Sequence, residues 1–174
     1  MRYHPVLVSL HWLLAFMILF MLLVGGPMVS RMDAADPEKL TGLFGHMTAG
    51  MMVGLLMIAR LVTRSRTQLP PAAETGNALM NMAARWAHVA LYALVLVMVF
   101  TGMGTAVTGD LFSIVYDGSG AALPVLTDLP ARVAHGIVAT LLMMLIALHV
   151  LAWAYHQFIL RDGLIRRMWF GRDA

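Results

Sequence analysis

Four long apolar runs dominate the hydrophobic pattern of the chain, at about residues 10–29, 41–62, 82–106 and 131–160. About 20 consecutive apolar residues are enough for one α-helix to cross the hydrocarbon core of a bilayer. All four runs reach that length, and the last one exceeds it. The pattern therefore predicts an all-α integral membrane protein that crosses the bilayer four times.

Polar or helix-breaking stretches separate these runs. Residues 31–40 form a short polar loop, residues 65–80 contain two adjacent prolines, and residues 107–130 hold several glycines, prolines and carboxylates. The first run resembles a signal peptide, but it is too long, and Gly25-Gly26-Pro27 is a poor cleavage site. We expect an uncleaved helix that frays at those glycines and that proline.

Composition supports a membrane location and excludes several kinds of site. Hydrophobic residues make up 60% of the 174 residues and charged residues only 12%, whereas about a quarter of a soluble domain is charged. The chain has no cysteine, which excludes disulfides, thiolate-bound haem, and iron–sulfur or zinc sites built on thiolates. No basic tract is long, so we expect no nucleic-acid partner.

Positive charge is distributed unevenly between the two sides of the predicted spans. One side, with the N-terminus, the 60–85 segment and the tail, has nine arginines: Arg2, Arg60, Arg64, Arg66, Arg85, Arg161, Arg166, Arg167 and Arg172. The other side has only Arg31, Lys39 and Arg132, beside the carboxylates Asp33, Asp36, Glu38, Asp110, Asp117 and Asp128. Because cytoplasmic loops are enriched in Lys and Arg, both termini are predicted to be cytoplasmic. The tail's Trp169 and Phe170 suit a position along the membrane surface.

Two histidines of the last apolar run lie on one helical face. His135 and His149 are 14 residues apart, which is about 21 Å of helical rise with the side chains roughly 40° apart around the axis. One face would then carry an imidazole towards each membrane surface, as needed to hold two flat metal cofactors. The alternative for any single histidine is an interhelical hydrogen bond or a position among lipid headgroups.

The depths of the other histidines predict two pairs. His46 enters the second span from the outer side and therefore pairs with His135. His149 lies nearer the cytoplasm and pairs with His11 or His88, a choice that depth alone leaves open. Two axial imidazoles saturate a haem iron and suit electron transfer rather than oxygen chemistry.

These residues resemble the bacterial cytochrome b561 family. The resemblance rests on Ser9-Leu10-His11-Trp12, on Gly45-His46, and on the spacing of His135 and His149, and it covers nearly the whole chain. The b subunits of membrane formate dehydrogenases and nickel–iron hydrogenases follow a similar plan. The family implies a four-helix bundle with two haem b groups and electron exchange with ubiquinone, and one bacterial member type is a superoxide oxidase. It also implies that His11 with His149, and His46 with His135, ligate the two irons, which leaves His88 beside the haem or at a quinone site.

Other polar residues are candidates for the same site. Arg60 and Arg85 near the inner surface, and Arg132 near the outer surface, are suited to pair with haem propionates, or serve only as topology determinants. His156 is a candidate proton donor or quinone partner because an ordinary imidazole titrates near neutrality, or it faces headgroups. Glycines on the predicted helices either admit a macrocycle or allow close helix packing; they are Gly42, Gly45, Gly50, Gly54, Gly102, Gly104 and Gly136.

Three functions fit these observations, and no catalytic residue is assigned under any of them. In the first, an outer donor such as superoxide reduces the protein, which reduces ubiquinone in the inner membrane. Here the net acidic outer loops are unfavourable, since only Arg31, Lys39 and Arg132 are available to attract an anion. In the second, the chain is the membrane anchor of a partner dehydrogenase or accepts electrons from a c-type cytochrome, and residues 107–130 with their apolar run 111–116 form the docking surface. The third is a haem-free structural or transport protein.

Overall fold

The computed structural model describes residues 2–72 and 75–171. Within those residues the chain is helical and contains no β-strand. Four helical segments in this part of the chain are long and apolar enough to cross a membrane: Pro5–Arg31, Lys39–Arg66, Ala78–Thr108 and Pro130–Leu160. The prediction of an all-α chain with four membrane-crossing helices is therefore confirmed.

The first long segment is continuous through its glycines. It consists of α1 (Pro5–Phe20), a π-helical turn (Met21–Gly25) and α2 (Gly26–Arg31). The expected fraying at Gly25-Gly26-Pro27 is wrong, because the helix widens there into the π-helical turn and then resumes. Pro27 lies in the first turn of α2 and has no backbone N–H to donate. The regular pattern of helical hydrogen bonds is already changed there by the π-helical turn, so the proline causes little further loss.

The other long helices are α3 (Lys39–Arg66), α4 (Ala78–Thr108) and α6 (Pro130–Ala154), and a π-helical turn (Tyr155–Leu160) extends α6. Short 3-10 turns at Leu126–Asp128 and Leu164–Met168 precede and follow this last segment. Pro130 begins α6 in the first turn, where a residue without an N–H leaves no partner unsatisfied.

The connection between α4 and α6 contains one further helix, α5 (Leu111–Val115). Leu111 and Ile114 of this helix are only 3% and 6% exposed, so they pack into the bundle. The hydroxyl of Tyr116 lies 2.8 Å from that of Thr48 on α3, and its ring lies 5.1 Å from that of Phe44. The apolar run 111–116 therefore offers only part of its surface to a partner.

A small aliphatic core lies midway along the bundle. It consists of Leu14, Val53, Met57, Val95 and Leu142, and each of these side chains is at most 6% exposed. Many large apolar side chains elsewhere are exposed, such as Phe16 (69%) and Phe100 (73%). So much exposed apolar surface is unusual for a soluble protein and is expected for helices that face lipid.

The two ends of the bundle differ in charge. At one end the Tyr3 N–H donates to the carbonyl of Arg167 (3.1 Å), and the Arg167 guanidinium donates to the carbonyl of Pro71 (2.8 Å). The N-terminus, the loop before α4 and the tail therefore meet at this end, which we call the basic end. The opposite end, with residues 32–38 and 109–129, is called the acidic end.

Lys39 is buried at the acidic end. It is 8% exposed, and its Nζ donates to the carbonyls of Val29 and Met32 at 2.5 and 2.8 Å. These carbonyls end the first long segment and would otherwise have no intrahelical donor. Lys39 is therefore a helix cap, and the expectation that it helps to form an exposed patch for an anion is wrong.

Candidate functional site

Helix α6 carries both histidines of its inward face without interruption. His135 and His149 lie within the regular α-helical part, Pro130–Ala154, and both are half-buried. The spacing of about 21 Å therefore holds in the folded chain. His135 lies towards the acidic end and His149 towards the basic end, so two separate sites are available along one helix.

At the acidic end, His46 of α3 faces His135 of α6. Their ring centroids are 6.1 Å apart and their planes meet at 74°. Two imidazoles that bind one metal axially, each with a metal–nitrogen bond of about 2 Å, have ring centres roughly 6 Å apart. The spacing of this pair would therefore allow the two histidines to hold one metal between them.

The hydrogen bonds of His135 leave its other ring nitrogen available to a metal. Its Nδ1 is 3.1 Å from the carbonyl oxygen of Met98 and 3.1 Å from the hydroxyl of Thr101, both on α4. A carbonyl oxygen only accepts, so Nδ1 carries the hydrogen and the Nε2 lone pair is free. Donation from the second nitrogen of a metal-binding histidine to a backbone carbonyl is a common arrangement.

The surroundings of His46 also fit a metal ligand. Its Nδ1 is buried and has no hydrogen-bond partner among the described residues. A buried polar atom of this kind is unfavourable unless something else in the site satisfies it. One helical turn further, a Cβ added at Gly50 would meet no side chain within 4 Å in the described chain, so α3 has open space at this position.

Of the other glycines singled out, some are packing positions. A Cβ at Gly54 would come within 3.0 Å of Val99, and one at Gly104 within 3.3 Å of Ala131. These two support the interpretation that glycine allows close helix packing. Gly102 differs, because a Cβ there would lie 3.1 Å from Cε1 of His135, so the absence of a side chain makes room for the imidazole itself.

At the basic end, two imidazoles are in ring contact and a third lies nearby. The rings of His88 (α4) and His149 are 5.3 Å apart and nearly perpendicular, at 86°. His11 (α1) is half-buried and lies within electrostatic range of both. His88 is exposed, and its Nδ1 contacts the carbonyl of Ala84 at 2.7 Å. The structure therefore brings both predicted partners of His149 to one level.

Two arginines lie beside the two histidine levels. Arg60 donates to the carbonyl of Leu7 (2.7 Å) and to the hydroxyl of Tyr92 (2.9 Å), and it lies within electrostatic range of His11. Arg132 lies within electrostatic range of both His46 and His135. No carboxylate in the described chain forms an ion pair with either guanidinium, so each is available to an anionic group near its histidines. Arg85 is exposed.

His156 contacts a carboxylate six residues further along the chain. Its Nδ1 lies 2.5 Å from Oδ2 of Asp162, across the π-helical turn that ends the last long segment. Burial alone would raise the pKa of Asp162, but hydrogen bonds from His156 and from the Leu164 N–H, with the nearby charge of Arg167, lower it below its ordinary value of 3.8. The pair braces the turn at the basic end.

The residue types and spacings suit a haem better than a bare metal ion. Within the described residues, no three or more His, Asp or Glu side chains converge as they would around a bare ion. Each level instead offers imidazoles from different helices, a nearby arginine and, at the acidic end, glycines next to the ligand candidates. The sequence analysis missed Thr101 and Tyr92 as site residues. Thr101 contacts His135 and Tyr92 contacts Arg60, and each partner lies more than 30 residues away in the chain.

Comparison with known proteins identifies the family of the chain. The profile of the prokaryotic cytochrome b561 family matches residues 2–171. A curated relative, cytochrome b562 of Cereibacter sphaeroides, is 27% identical over 165 residues, which cover 92% of this chain and 90% of the relative. Since the family match spans nearly the whole chain, the protein belongs to the prokaryotic cytochrome b561 family, whose function is transmembrane electron transfer through haem b.

Proposed function

We propose that the chain carries electrons across the bacterial inner membrane through two haem b groups, and that it exchanges them with ubiquinone. The observation that supports this most is the arrangement on α6. His135 faces His46 at a ring distance of 6.1 Å. About four helical turns away, His149 contacts the ring of His88, and His11 lies within electrostatic range of both. Haem held by two histidines would supply reversible one-electron transfer rather than oxygen chemistry.

The histidines would act as the axial ligands. His46 and His135 serve the acidic-end haem, and His11 and His149 serve the basic-end haem. His88 then lies against His149 as a group beside the haem or at a quinone site. The choice of His11 follows the family resemblance. It is also supported by burial, because His11 is half-buried whereas His88 is exposed and contacts its own helix at Ala84.

The arginines would hold the haem carboxylates. A guanidinium near each histidine level, free of carboxylate partners in the described chain, is suited to a propionate through charge-assisted hydrogen bonds. Arg132 serves the acidic end and Arg60 the basic end. Leu7 and Tyr92 fix the orientation of Arg60 before the propionate arrives, so less side-chain freedom is lost on binding.

The basic end would face the cytoplasm and the acidic end the periplasm. The supporting observation is that the arginine-rich segments meet at one end of the bundle. Reduction of a quinone to a quinol takes two electrons and two protons, and protons are available at the cytoplasmic end. Because Nδ1 of His156 already pairs with Asp162, Nε2 is the ring nitrogen that would deliver a proton.

A cationic protein partner is favoured over superoxide as the periplasmic donor. Oxidation of each superoxide to dioxygen would release one electron, but fast capture of an anion needs local positive charge. Lys39 is buried as a helix cap, which leaves Arg31 and the half-buried Arg132. Exposed carboxylates at the acidic end, among them Asp117 and Asp128, instead suit a basic surface of a c-type cytochrome or a dehydrogenase subunit.

A redox difference spectrum of the purified protein, with haem quantified per chain, tests the proposal. Two low-spin b haems per chain are expected. A folded preparation without a Soret band would overturn it and favour a structural or transport role.

The donor is tested separately in nanodiscs that contain a ubiquinone analogue. Electron exchange with a cationic c-type cytochrome should slow when Asp117→Lys and Asp128→Lys are combined, and should slow in the wild type as salt is raised. Arg64→Glu, at the opposite end, is the control and should change nothing. Quinol formation from superoxide above the rate of uncatalysed dismutation, and unchanged by these variants, would favour superoxide instead.

A further inference from the structure

The hydroxyl of Thr101 is the centre of a set of short contacts on α4. It donates to a backbone carbonyl one turn earlier, with distances of 2.8 Å to Val97 and 3.0 Å to Met98, and it lies 3.1 Å from Nδ1 of His135. Thr101 is half-buried, and its contacts to Met98 and His135 are part-buried.

The positions of the hydrogens follow from the partners. The Met98 carbonyl accepts a hydrogen bond from the Nδ1–H of His135, so this nitrogen is a donor. The hydroxyl oxygen of Thr101 must therefore also accept a hydrogen bond from Nδ1–H. The single hydroxyl hydrogen is then directed at Val97, as in the usual back-bonding of helical threonines. A chain of donors results, from the imidazole N–H to the hydroxyl and on to a carbonyl, and each bond in such a chain polarises the next.

The histidine of the other level lacks this support. Among the hydrogen bonds of the described residues, none involves either ring nitrogen of His149. The two candidate ligands on α6 thus differ in one specific respect, since only His135 has its second nitrogen held by two acceptors. Acceptors at that position make an imidazole a stronger electron donor to a bound metal.

We propose that Thr101 is a positioning residue that fixes the tautomer and orientation of His135 and makes the acidic-end haem harder to reduce. The inference rests on the proposed ligation of that haem by His135. A more electron-rich ligand stabilises the oxidised iron, so the hydroxyl lowers the reduction potential of this haem and leaves the basic-end haem unaffected.

Thr101→Val removes the hydroxyl and keeps the shape of the side chain. Redox titration of the full chain should show a positive shift of the acidic-end haem corresponding to a three- to tenfold change in its reduction equilibrium. A tenfold change is about 59 mV for a one-electron couple. The low-spin electron paramagnetic resonance signal of the same haem should shift, while the other haem serves as the internal reference.

Two further variants separate tuning from packing. Thr101→Ser keeps the hydroxyl and should retain the wild-type potential. Thr105→Val is the matched control, because Thr105 is buried on the same helix and donates only to the carbonyl of Thr101; its potential should be unchanged. Loss of haem in Thr101→Val alone, with haem kept in the other two, would also support the positioning role.

Equal shifts in Thr101→Val and Thr105→Val, no shift in either, or a serine variant that behaves like valine would overturn the inference. Failure of the underlying ligation is recognised independently. If His135→Ala keeps both haems, His135 is not a ligand, whatever the threonine variants show.

Discussion

The indole N–H of Trp12 donates a hydrogen bond to the backbone carbonyl of Met168 at 2.8 Å, which joins the first helix to the tail. The rings of Trp12 and Trp169 also meet edge to face at 5.9 Å. Trp12 directly follows His11, and their rings are 5.3 Å apart. The tail is therefore fastened beside a candidate haem ligand, and its attachment should matter for the basic-end site.

Trp12→Phe should loosen the tail while the four long helices stay folded. The substitution removes one hydrogen bond at a partly exposed position, worth about 1 kcal/mol or less, and keeps most of the aromatic surface. Limited proteolysis in detergent should cleave residues 161–171 faster than in the wild type. Trp86→Phe is the control, because Trp86 is 64% exposed and should be neutral. Equal cleavage rates in all three proteins would contradict the attachment.

Gly102→Ala should selectively disturb the acidic-end haem. The added Cβ would lie 3.1 Å from Cε1 of His135, which is closer than ordinary van der Waals contact, so the imidazole must shift. Because a ligand has to be held within a few tenths of an ångström, we expect loss or altered spectral shape of one haem out of two. Absorption and electron paramagnetic resonance spectra of the purified variant measure this effect.

Gly45→Ala is the matched control for that experiment. Gly45 directly precedes His46, yet a Cβ there meets no atom within 4 Å in the described chain. The control should keep both haems and gain slightly in helix stability, since alanine is the better helix former. If both glycine variants lose the same haem, contact with His135 is not the reason.

The sequence is sufficient for the four long helices and for the approach of His46 to His135. Apolar run length is a one-dimensional property, and helical spacing converts sequence distance into depth, so the sequence predicts His46 opposite His135, and the two rings do face each other. Contacts that involve residue types without a haem-binding signal were not predictable. Nothing near Thr101 in the chain points to His135, 34 residues away.

The prediction that Lys39 is available to attract an anion was wrong for a related reason. Positive residues near helix ends are usually exposed, and only the folded position of the preceding segment shows that this ammonium satisfies the carbonyls of Val29 and Met32. The sequence also leaves open which histidine contacts the ring of His149, because His11 and His88 are expected at the same depth. In the structure the contact is with His88.

Acid should destabilise the π-helical turn Tyr155–Leu160 at the basic end. The pKa of Asp162 is lowered in the folded chain from its ordinary value of 3.8, so the unfolded carboxyl binds protons more readily than the folded one. The stabilisation is therefore complete above about pH 5 and is lost as the pH falls through 3.8 and below. Hydrogen exchange of residues 155–168 should accelerate, relative to the intrinsic rates, between pH 5 and 3.

Asp162→Asn should abolish that acceleration. The amide cannot ionise, so hydrogen exchange of residues 155–168 should already be faster than in the wild type at pH 6. The further acceleration between pH 5 and 3, relative to the intrinsic rates, should then be absent. Asp117→Asn, on an exposed loop at the other end, provides the control for general effects of a lost carboxylate. An unchanged pH profile in Asp162→Asn would mean that another group controls the turn.

Alanine substitution of the histidines should assign the ligands at both levels. His135→Ala and His149→Ala should each lose a different haem, because each imidazole belongs to a different level of α6. His46→Ala should reproduce the spectrum of His135→Ala, and His11→Ala that of His149→Ala. His88→Ala should keep both haems and shift the potential of the basic-end haem, since its ring packs against His149 and the proposed ligand is His11. Haem content per chain and difference spectra distinguish these variants. If His88→Ala loses the basic-end haem while His11→Ala keeps it, the axial partner is the imidazole of α4, and the half-buried His11 becomes the group beside the haem.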